Sequence, residues 1–257
     1  MQNITLITDW HKSDYYLGAL KGTIISRCEA SMNLVDINHH IEQYQYKEAA
    51  FVLRNSYHYY PKGTIHVNTI NNQNTYPVPY IAVSFDDHFF VSPNSGTMNL
   101  ITQGKNYKAV MITAEDFDAP TFPELHYISK AICHITQMHT IDGLGEPYTL
   151  REINYLRPQY VNNELIGTII HIDGYGNIIT NITEKTFNEV RQNRNFSILL
   201  KGKHEGLEKI YKGYEESINE LIATFNSTSL LEIAQMNFPA YKSLGLRLGD
   251  RIKITFK

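Results

Sequence analysis

The sequence predicts an α/β protein with two parts, an N-terminal α/β domain with a mostly parallel sheet and a smaller C-terminal antiparallel β domain. Strand-like and helix-like segments alternate over about the first 150 residues, a pattern typical of a parallel sheet covered by helices. Beyond about residue 165, short β-branched runs separated by turns indicate an antiparallel barrel or sandwich. The polar, aperiodic stretch 151–164 contains Pro158 and predicts a linker, which gives domains 1–155 and 165–257.

In the N-terminal part, the predicted strands are apolar, β-branched runs next to turn residues, namely 4–8, 34–37, 64–70, 80–85, 89–92 and 108–113. The runs 80–85 and 89–92 predict a hairpin across Asp86-Asp87, and a turn is predicted at 93–96. Three helices are predicted from apolar residues at helical spacing. Ser13 is expected to cap the first, which carries Leu17 to Cys28; the second covers 46–57, and the third carries Leu125 to Ile135.

In the C-terminal part, the predicted strands share β-branched residues and flanking turn residues, and cover 167–172, 178–182, 196–200, 220–225, 230–234 and 251–256. Their spacing is the basis for the antiparallel prediction.

Composition excludes several classes of protein. The 257 residues are 42% apolar and 19% charged, and 23 Lys and Arg against 26 Asp and Glu give a net charge of −3. This balance excludes a disordered chain and binding of nucleic acid by bulk charge. Apolar runs are too short to span a bilayer, and no secretory leader is recognisable, so we expect no membrane association and a cytoplasmic location. Cys28 and Cys133 lie in apolar helix-like patterns and are expected to be two buried thiols rather than a disulfide.

Polar side chains follow the first two predicted strands. Asp9 could accept two hydrogen bonds from a ribose diol, or it could be a carboxylate near a helix N-terminus, and the spacing favours neither. After the second strand, the adjacent histidines His39 and His40 point in different directions, which favours a structural or surface role over a metal site. No zinc-type spacing of His or Cys occurs, and no metal is expected.

The most distinctive loop is Asp173-Gly-Tyr-Gly-Asn177, between two β-runs. Glycine and asparagine tolerate positive φ, so the default interpretation is a hairpin loop. An acid, an aromatic ring and an amide in one tight loop are also what an adenine and amino-acid pocket uses. Asn226-Ser227 adds a polar pair at another strand end.

At these residues the sequence resembles the S-adenosylmethionine hydroxide adenosyltransferases, relatives of the adenosylmethionine-dependent chlorinase and fluorinase. The matching stretches run in family order over nearly the whole chain: LITDWHKSDYYLGALKG, NLVDINHHI, KEAAFVLRNSYHYYPKGTIHV, FFVSPNSGTMNL, GTIIHIDGYGNIITNI and NSTSLLEIAQMNFPAYKSLGLRLGDRIKI. The resemblance implies a C-terminal β-barrel and a homotrimer, with sites between the N-terminal domain of one subunit and the C-terminal domain of the next. S-adenosyl-L-methionine would be the substrate.

The resemblance also implies roles for individual residues. Asp9 matches the acid that holds the ribose hydroxyls, Asp14 lies in its supporting loop, and Tyr44 stands where halogenating relatives place a tryptophan against the ribose. In the second half, Asp173 matches the acid that receives the methionine ammonium, and Tyr175 matches the stacking ring. Asn177 matches the adenine-reading amide, and Ser227 matches a group near the methionine carboxylate.

The residues that hydrolysing relatives use to orient and activate water are replaced. Their acid becomes Asn71, Val78 stands about where their arginine would be, and Pro123 takes the position of their histidine. Glu124 occupies the serine position of the halide enzymes, and a substitute polar set of Asn71, Glu124 and His126 is our prediction for the catalytic residues.

Two functions therefore follow from the sequence. The first is a hydrolase in which water or hydroxide displaces methionine from the adenosyl 5′ carbon and gives adenosine. The alternative is a catalytically impaired protein that binds S-adenosylmethionine or adenosine, because losing a general base typically costs about 10²–10⁴ in rate while binding can persist.

Overall fold

The structure is a computed structural model of the chain that describes residues 1–10, 14–72, 78–113, 121–154, 157–200, 206–217 and 220–257. The described chain divides into two compact units, Met1–Ile153 and Asn154–Lys257. The predicted N-cap, Ser13, lies outside the described residues.

The first unit is built on a six-stranded sheet with strands β1 to β6 at Gln2–Ile7, Met32–Asn38, Ile65–Asn68, Tyr80–Phe85, His88–Pro93 and Lys108–Met111. Its strand order is β2-β1-β3-β5-β4-β6. The pairs β1·β2, β1·β3 and β3·β5 are parallel, whereas β4 is antiparallel to both β5 and β6. This confirms the mostly parallel sheet and the hairpin predicted across Asp86-Asp87.

Helices cover both faces of this sheet and have bounds α1 Tyr16–Arg27, α2 Tyr46–Arg54, α3 Thr97–Thr102 and α4 Glu124–Met138. Successive side chains of a strand point to opposite faces, so β1 contributes to two cores. Its Ile4 and Leu6 lie in the cluster with α1 and α4, whereas Ile7 lies in the cluster with α2 and α3. This arrangement places the carboxyl ends of the parallel strands at one edge, where an α/β sheet usually builds its site.

The second unit is a curled, largely antiparallel sheet of eight strands. Strands β7 to β14 have bounds Gln159–Val161, Glu164–Ile172, Ile178–Thr183, Phe196–Leu199, Ile210–Tyr211, Leu221–Phe225, Leu230–Gln235 and Arg251–Phe256. The order is β10-β14-β8-β9-β13-β12-β11, with β7 paired to β8. Two short helices accompany it, α5 Glu184–Arg191 and α6 Ala240–Leu244. The antiparallel prediction is confirmed, in the form of a half-barrel.

The elements differ from the prediction in a few places. The second helix ends at Arg54 and is followed by a separate 3-10 turn at Tyr57–Tyr59. The short helices α3, α5 and α6 were not predicted, and the stretch predicted as a linker holds β7 and the start of β8. α5 buries Phe187 and is otherwise mostly polar, so no apolar run marks it in the sequence.

The prediction of two buried thiols is wrong, because Cys28 and Cys133 form a disulfide. Cys28 follows the last residue of α1, and Cys133 lies on α4, which packs beside α1 on the same face of the sheet. Their Cα atoms are 5.0 Å apart, although 105 positions separate them in sequence. This separation is well within the range that a disulfide bridges.

Candidate functional site

Thr8 and Asp9 follow the last residue of β1 and lie at the carboxyl ends of the parallel strands of the first unit. His39 is buried, and its Nδ1 lies 2.8 Å from Thr8 Oγ1 while its Nε2 lies 3.1 Å from Asp36 Oδ1. Burial raises the pKa of Asp36, but hydrogen bonds from Lys21 and His39 outweigh it and lower that pKa below its usual value. His39 thus links Thr8, at the end of β1, to Asp36 on β2.

Asp9 is half-buried and faces the loop that precedes α2. Its Oδ2 accepts a hydrogen bond of 3.3 Å from the main-chain nitrogen of Tyr44. Tyr44 has a positive φ of 64° and a side chain that is 43% exposed. The structure thus brings Asp9 and Tyr44 together, with the Tyr44 ring exposed. Asp14 is exposed and forms no hydrogen bond with the described residues.

Glu124, the first residue of α4, meets a tyrosine that sequence reasoning missed. Tyr80 begins β4, is 7% exposed, and its hydroxyl donates a hydrogen bond of 2.6 Å to Glu124 Oε1. Burial, the charge of Glu124 and the hydrogen bond to it raise the pKa of Tyr80 well above its usual value, and the charge of Asp9 adds to the effect. Tyr80 is therefore hydrogen-bonded to Glu124 and also feels the charge of Asp9.

Within the predicted set of Asn71, Glu124 and His126, Glu124 accepts a hydrogen bond from Tyr80. Asn71 is half-buried, and its Oδ1 accepts a hydrogen bond of 2.7 Å from the main-chain nitrogen of Asn72. His126 is half-buried on the first turn of α4. Asn71 thus stabilises its own loop after β3.

In the second unit, the loop between β8 and β9 is organised by Asp173. Its Oδ1 accepts hydrogen bonds from the main-chain nitrogens of Tyr175 and Asn177 at 3.0 and 2.9 Å, and its Oδ2 accepts one of 3.0 Å from Asn177 Nδ2. The Tyr175 ring is 85% exposed, whereas Asn177 is 8% exposed. An ionised carboxylate has about four acceptor positions, so Asp173 retains acceptor capacity for a ligand cation.

Near this loop lies a buried carboxylate, Glu232 on β13, that sequence reasoning also missed. It is 2% exposed and accepts hydrogen bonds from Tyr214 Oη at 2.7 Å and Asn226 Nδ2 at 3.0 Å. Burial and the charge of Asp173 raise the pKa of Glu232, against the opposing effect of these two hydrogen bonds. The signal in the sequence was a single glutamate within the apolar run LLEIA.

Glu232 holds the turn that carries Ser227. Asn226 uses its amide nitrogen for Glu232 and its Oδ1 to accept from the main-chain nitrogens of Thr228 and Leu230 at 3.0 and 3.2 Å. Ser227 is exposed on this turn.

In the part of the chain that the structure describes, no group of three or more His, Cys, Asp or Glu side chains could hold a metal ion. No helix among these residues is long and apolar enough to cross a bilayer.

Comparisons with known proteins place this fold in a family. The SAM hydroxide adenosyltransferase N-terminal domain matches residues 4–145, and the C-terminal domain of the same family matches 167–253. The chain therefore belongs to the SAM hydroxide adenosyltransferase family, as the sequence motifs indicated.

Individual relatives extend this assignment. The chain is 26% identical over 267 aligned positions to the (R)-S-adenosyl-L-methionine hydrolase of Methanocaldococcus jannaschii, covering 98% of this chain and 95% of the relative. An uncharacterised conserved protein from Thermotoga maritima has the same fold, with a TM-score of 0.86, 21% identity and coverage of 99% and 100% of the two chains. A conserved hypothetical protein from Thermus thermophilus gives a TM-score of 0.76 at 19% identity, with both chains fully covered.

Proposed function

We propose that this protein hydrolyses S-adenosyl-L-methionine to adenosine and methionine. The observation that carries the proposal is the match of both family domains, in order, together with a relative named as a hydrolase of this substrate that aligns over 98% of the chain. The binding-only alternative has no observation in its favour.

For the ligand, we propose the following roles. Asp9 accepts hydrogen bonds from the ribose hydroxyls, Asp14 belongs to the loop that supports it, and Tyr44 lies against the ribose. The proposed contacts to adenine and the methionine moiety come from the second unit: Tyr175 stacks on the base and Asn177 reads its edge, while Asp173 receives the ammonium group and Ser227 lies near the carboxylate. The Asp173 acceptor capacity and the Asp9–Tyr44 contact support these assignments.

The reaction is an in-line displacement at the 5′ carbon. Water forms the new C–O bond, the C–S bond breaks with its electron pair going to sulfur, and one proton is released with adenosine and neutral methionine. Positioning and desolvation of the nucleophile account for much of such catalysis. For the water side we propose Asn71, Glu124 and His126, with Glu124 supported by its contact with buried Tyr80.

The test is to incubate the purified protein with the substrate and to quantify adenosine and methionine by chromatography. Because the relative is named for (R)-S-adenosyl-L-methionine, the (R) and (S) forms should be assayed separately. We expect both products in equal amounts from at least one form. Binding measured by calorimetry without product above the uncatalysed background would instead show a binding protein.

We also propose a homotrimer, domain boundaries of 1–155 and 165–257, and a cytoplasmic location. Light scattering coupled to gel filtration should give three times the chain mass of 29.6 kDa. Cell fractionation tests the location, and it is informative because disulfides such as Cys28–Cys133 are more common in oxidising compartments.

A further inference from the structure

Tyr80 is a buried phenol at the edge of the sheet where the first-unit candidate residues lie. β4 runs antiparallel to β5, so Tyr80 at its start pairs with Pro93 at the end of β5. The start of β4 therefore reaches the same edge as the carboxyl ends of the parallel strands β1, β3 and β5. This is the edge from which Asp9 extends after β1.

The hydrogen bond between Tyr80 and Glu124 has a fixed direction. Burial and the nearby carboxylates keep the pKa of Tyr80 well above its usual value, so the phenol stays protonated and donates its hydrogen bond to Glu124 Oε1. The Tyr80 ring is itself held by stacking on Tyr127, with centroids 4.9 Å apart and planes inclined by 8°.

This donor leaves one Glu124 oxygen for chemistry. Among the described residues, Glu124 forms its hydrogen bond through Oε1, and Oε2 has no partner there. Glu124 is half-buried, and Asp9, which we assign to the ribose, lies within electrostatic range of Tyr80. A carboxylate with one oxygen fixed and the other available is suited to accept a proton from a bound water.

We propose that Tyr80 is the positioning residue that orients Glu124 as the proton acceptor for the attacking water. The inference rests on the proposed hydrolysis and names the group that replaces the water-activating residues of hydrolysing relatives. As water bonds to the 5′ carbon and methionine leaves with the sulfur electron pair, the water proton passes to Glu124 Oε2. Glu124 then releases this proton to solvent, which restores the carboxylate.

The experiment is a double-mutant cycle with Tyr80→Phe and Glu124→Gln. Glu124→Gln keeps an oxygen for the Tyr80 hydroxyl but cannot take the proton, so kcat should fall about 10²–10⁴-fold. Tyr80→Phe keeps the ring and its stacking but removes the donor, and kcat should fall about 10–100-fold, as expected for a hydrogen bond to a charged group. KM and adenosine binding by calorimetry should change little in either variant.

The double variant distinguishes positioning from a structural role. If Tyr80 acts through the Glu124 carboxylate, the double variant should have the kcat of Glu124→Gln alone, because the second change removes nothing further. Additive losses of kcat would overturn the positioning role.

Tyr57→Phe is the matched control. Tyr57 is equally buried, and its hydroxyl donates to Asp86 Oδ2 at 2.9 Å, at the opposite end of β4. This variant should lose stability comparable to that lost by Tyr80→Phe and keep the wild-type kcat. A similar drop in kcat for both tyrosine variants would overturn the proposal.

The remaining outcomes separate the inference from the proposed function. A wild-type protein that releases no adenosine overturns both, whereas an active wild type with unchanged kcat in Glu124→Gln overturns the inference and the water-side role of Glu124 but leaves the proposed hydrolysis standing. If Tyr80→Phe does not fold, as judged by its melting curve, Glu124→Gln decides alone.

Discussion

His66 and His88 face each other inside the first unit, with His66 Nε2 3.2 Å from His88 Nδ1. His66 is fully buried on β3, and its Nδ1 lies 2.7 Å from Thr5 Oγ1. Burial lowers the pKa of His66 to about 3, with a contribution from His88, and burial also lowers the pKa of His88. Two neutral imidazoles are therefore part of the folded core.

This pair predicts a loss of stability in acid. An unfolded histidine titrates near pH 6.5, so between about pH 6.5 and pH 3 the unfolded chain binds more protons and the free energy of unfolding falls as the pH falls. For His66 alone the loss from pH 7 to pH 5 should be about 2 kcal/mol. Urea unfolding at pH 5, 6 and 7 measures it.

The control for this measurement replaces one histidine at a time. His66→Gln should flatten the pH dependence of the free energy of unfolding, whatever its effect at pH 7. His40→Gln, at an exposed histidine, should leave the slope as in the wild type. Equal slopes for wild type and His66→Gln would contradict the prediction.

The Cys28–Cys133 disulfide predicts a stability that depends on oxidation. A crosslink across 105 positions restricts the unfolded chain, and native disulfides typically contribute about 2–4 kcal/mol. The double variant Cys28→Ser with Cys133→Ser should lose about this free energy of unfolding in urea. Adding reductant should destabilise the wild type by a similar amount and leave the double variant unaffected; a wild type that is insensitive to reductant, with two titratable thiols, would refute the crosslink.

Glu232 should contribute more to stability than its position on a strand suggests. Glu232→Ala leaves the Tyr214 hydroxyl and the Asn226 amide without their acceptor, which should cost about 2–4 kcal/mol and loosen the turn that carries Ser227. Thermal and urea unfolding measure the cost, and calorimetry with S-adenosylmethionine measures binding. Glu189→Ala, at an exposed glutamate of α5, should change neither; an equally mild effect at both positions would show that the buried network is dispensable.

Gly176 should not tolerate a side chain. Its φ is +85°, and a Cβ at this position would lie 2.5 Å from Pro239 Cβ and 2.8 Å from Pro239 Cα. Gly176→Ala should therefore cost about 1–3 kcal/mol and weaken ligand binding by displacing the 173–177 loop. Gly174→Ala in the same loop meets no atom within 4 Å and should alter stability by less than about 1 kcal/mol. Similar melting temperatures for the two variants would contradict this reasoning.

Strand positions were predictable wherever the burial of one or both faces of a strand produces an apolar run in the sequence. For β4 and β5, the two aspartates between the runs also predicted the turn that joins them. The helix α3 was not predictable, because it has only six residues and begins directly after Gly96. In the sequence Gly96 belongs to a predicted turn, and its φ of 107° agrees with that turn. The disulfide was not predictable either, because nothing local indicates that two cysteines 105 positions apart meet.

Sequence motifs suggested the candidate site residues, whereas the contacts that packing creates around them could not be predicted from the sequence. The Asp173–Asn177 loop is the hairpin loop of the default interpretation, and it also leaves the Tyr175 ring exposed, as a ring that stacks on a ligand would be. The residue spacing alone therefore could not distinguish a plain hairpin loop from a ligand-binding loop. Tyr80 begins a strand rather than ending one, and its importance depends on meeting Glu124 from 44 positions away. Contacts of this kind arise from sheet topology, which residue patterns do not encode.

The bond between Cys28 and Cys133 also changes what a single cut in the chain would do. A protease that cleaves one peptide bond between these residues opens a covalent ring rather than releasing a fragment. Both pieces remain attached through the Cys28–Cys133 bond, so the nicked protein keeps its full mass in a denaturing gel until the sulfurs are reduced. Proteolytic maps of this protein therefore have to be compared with and without reductant.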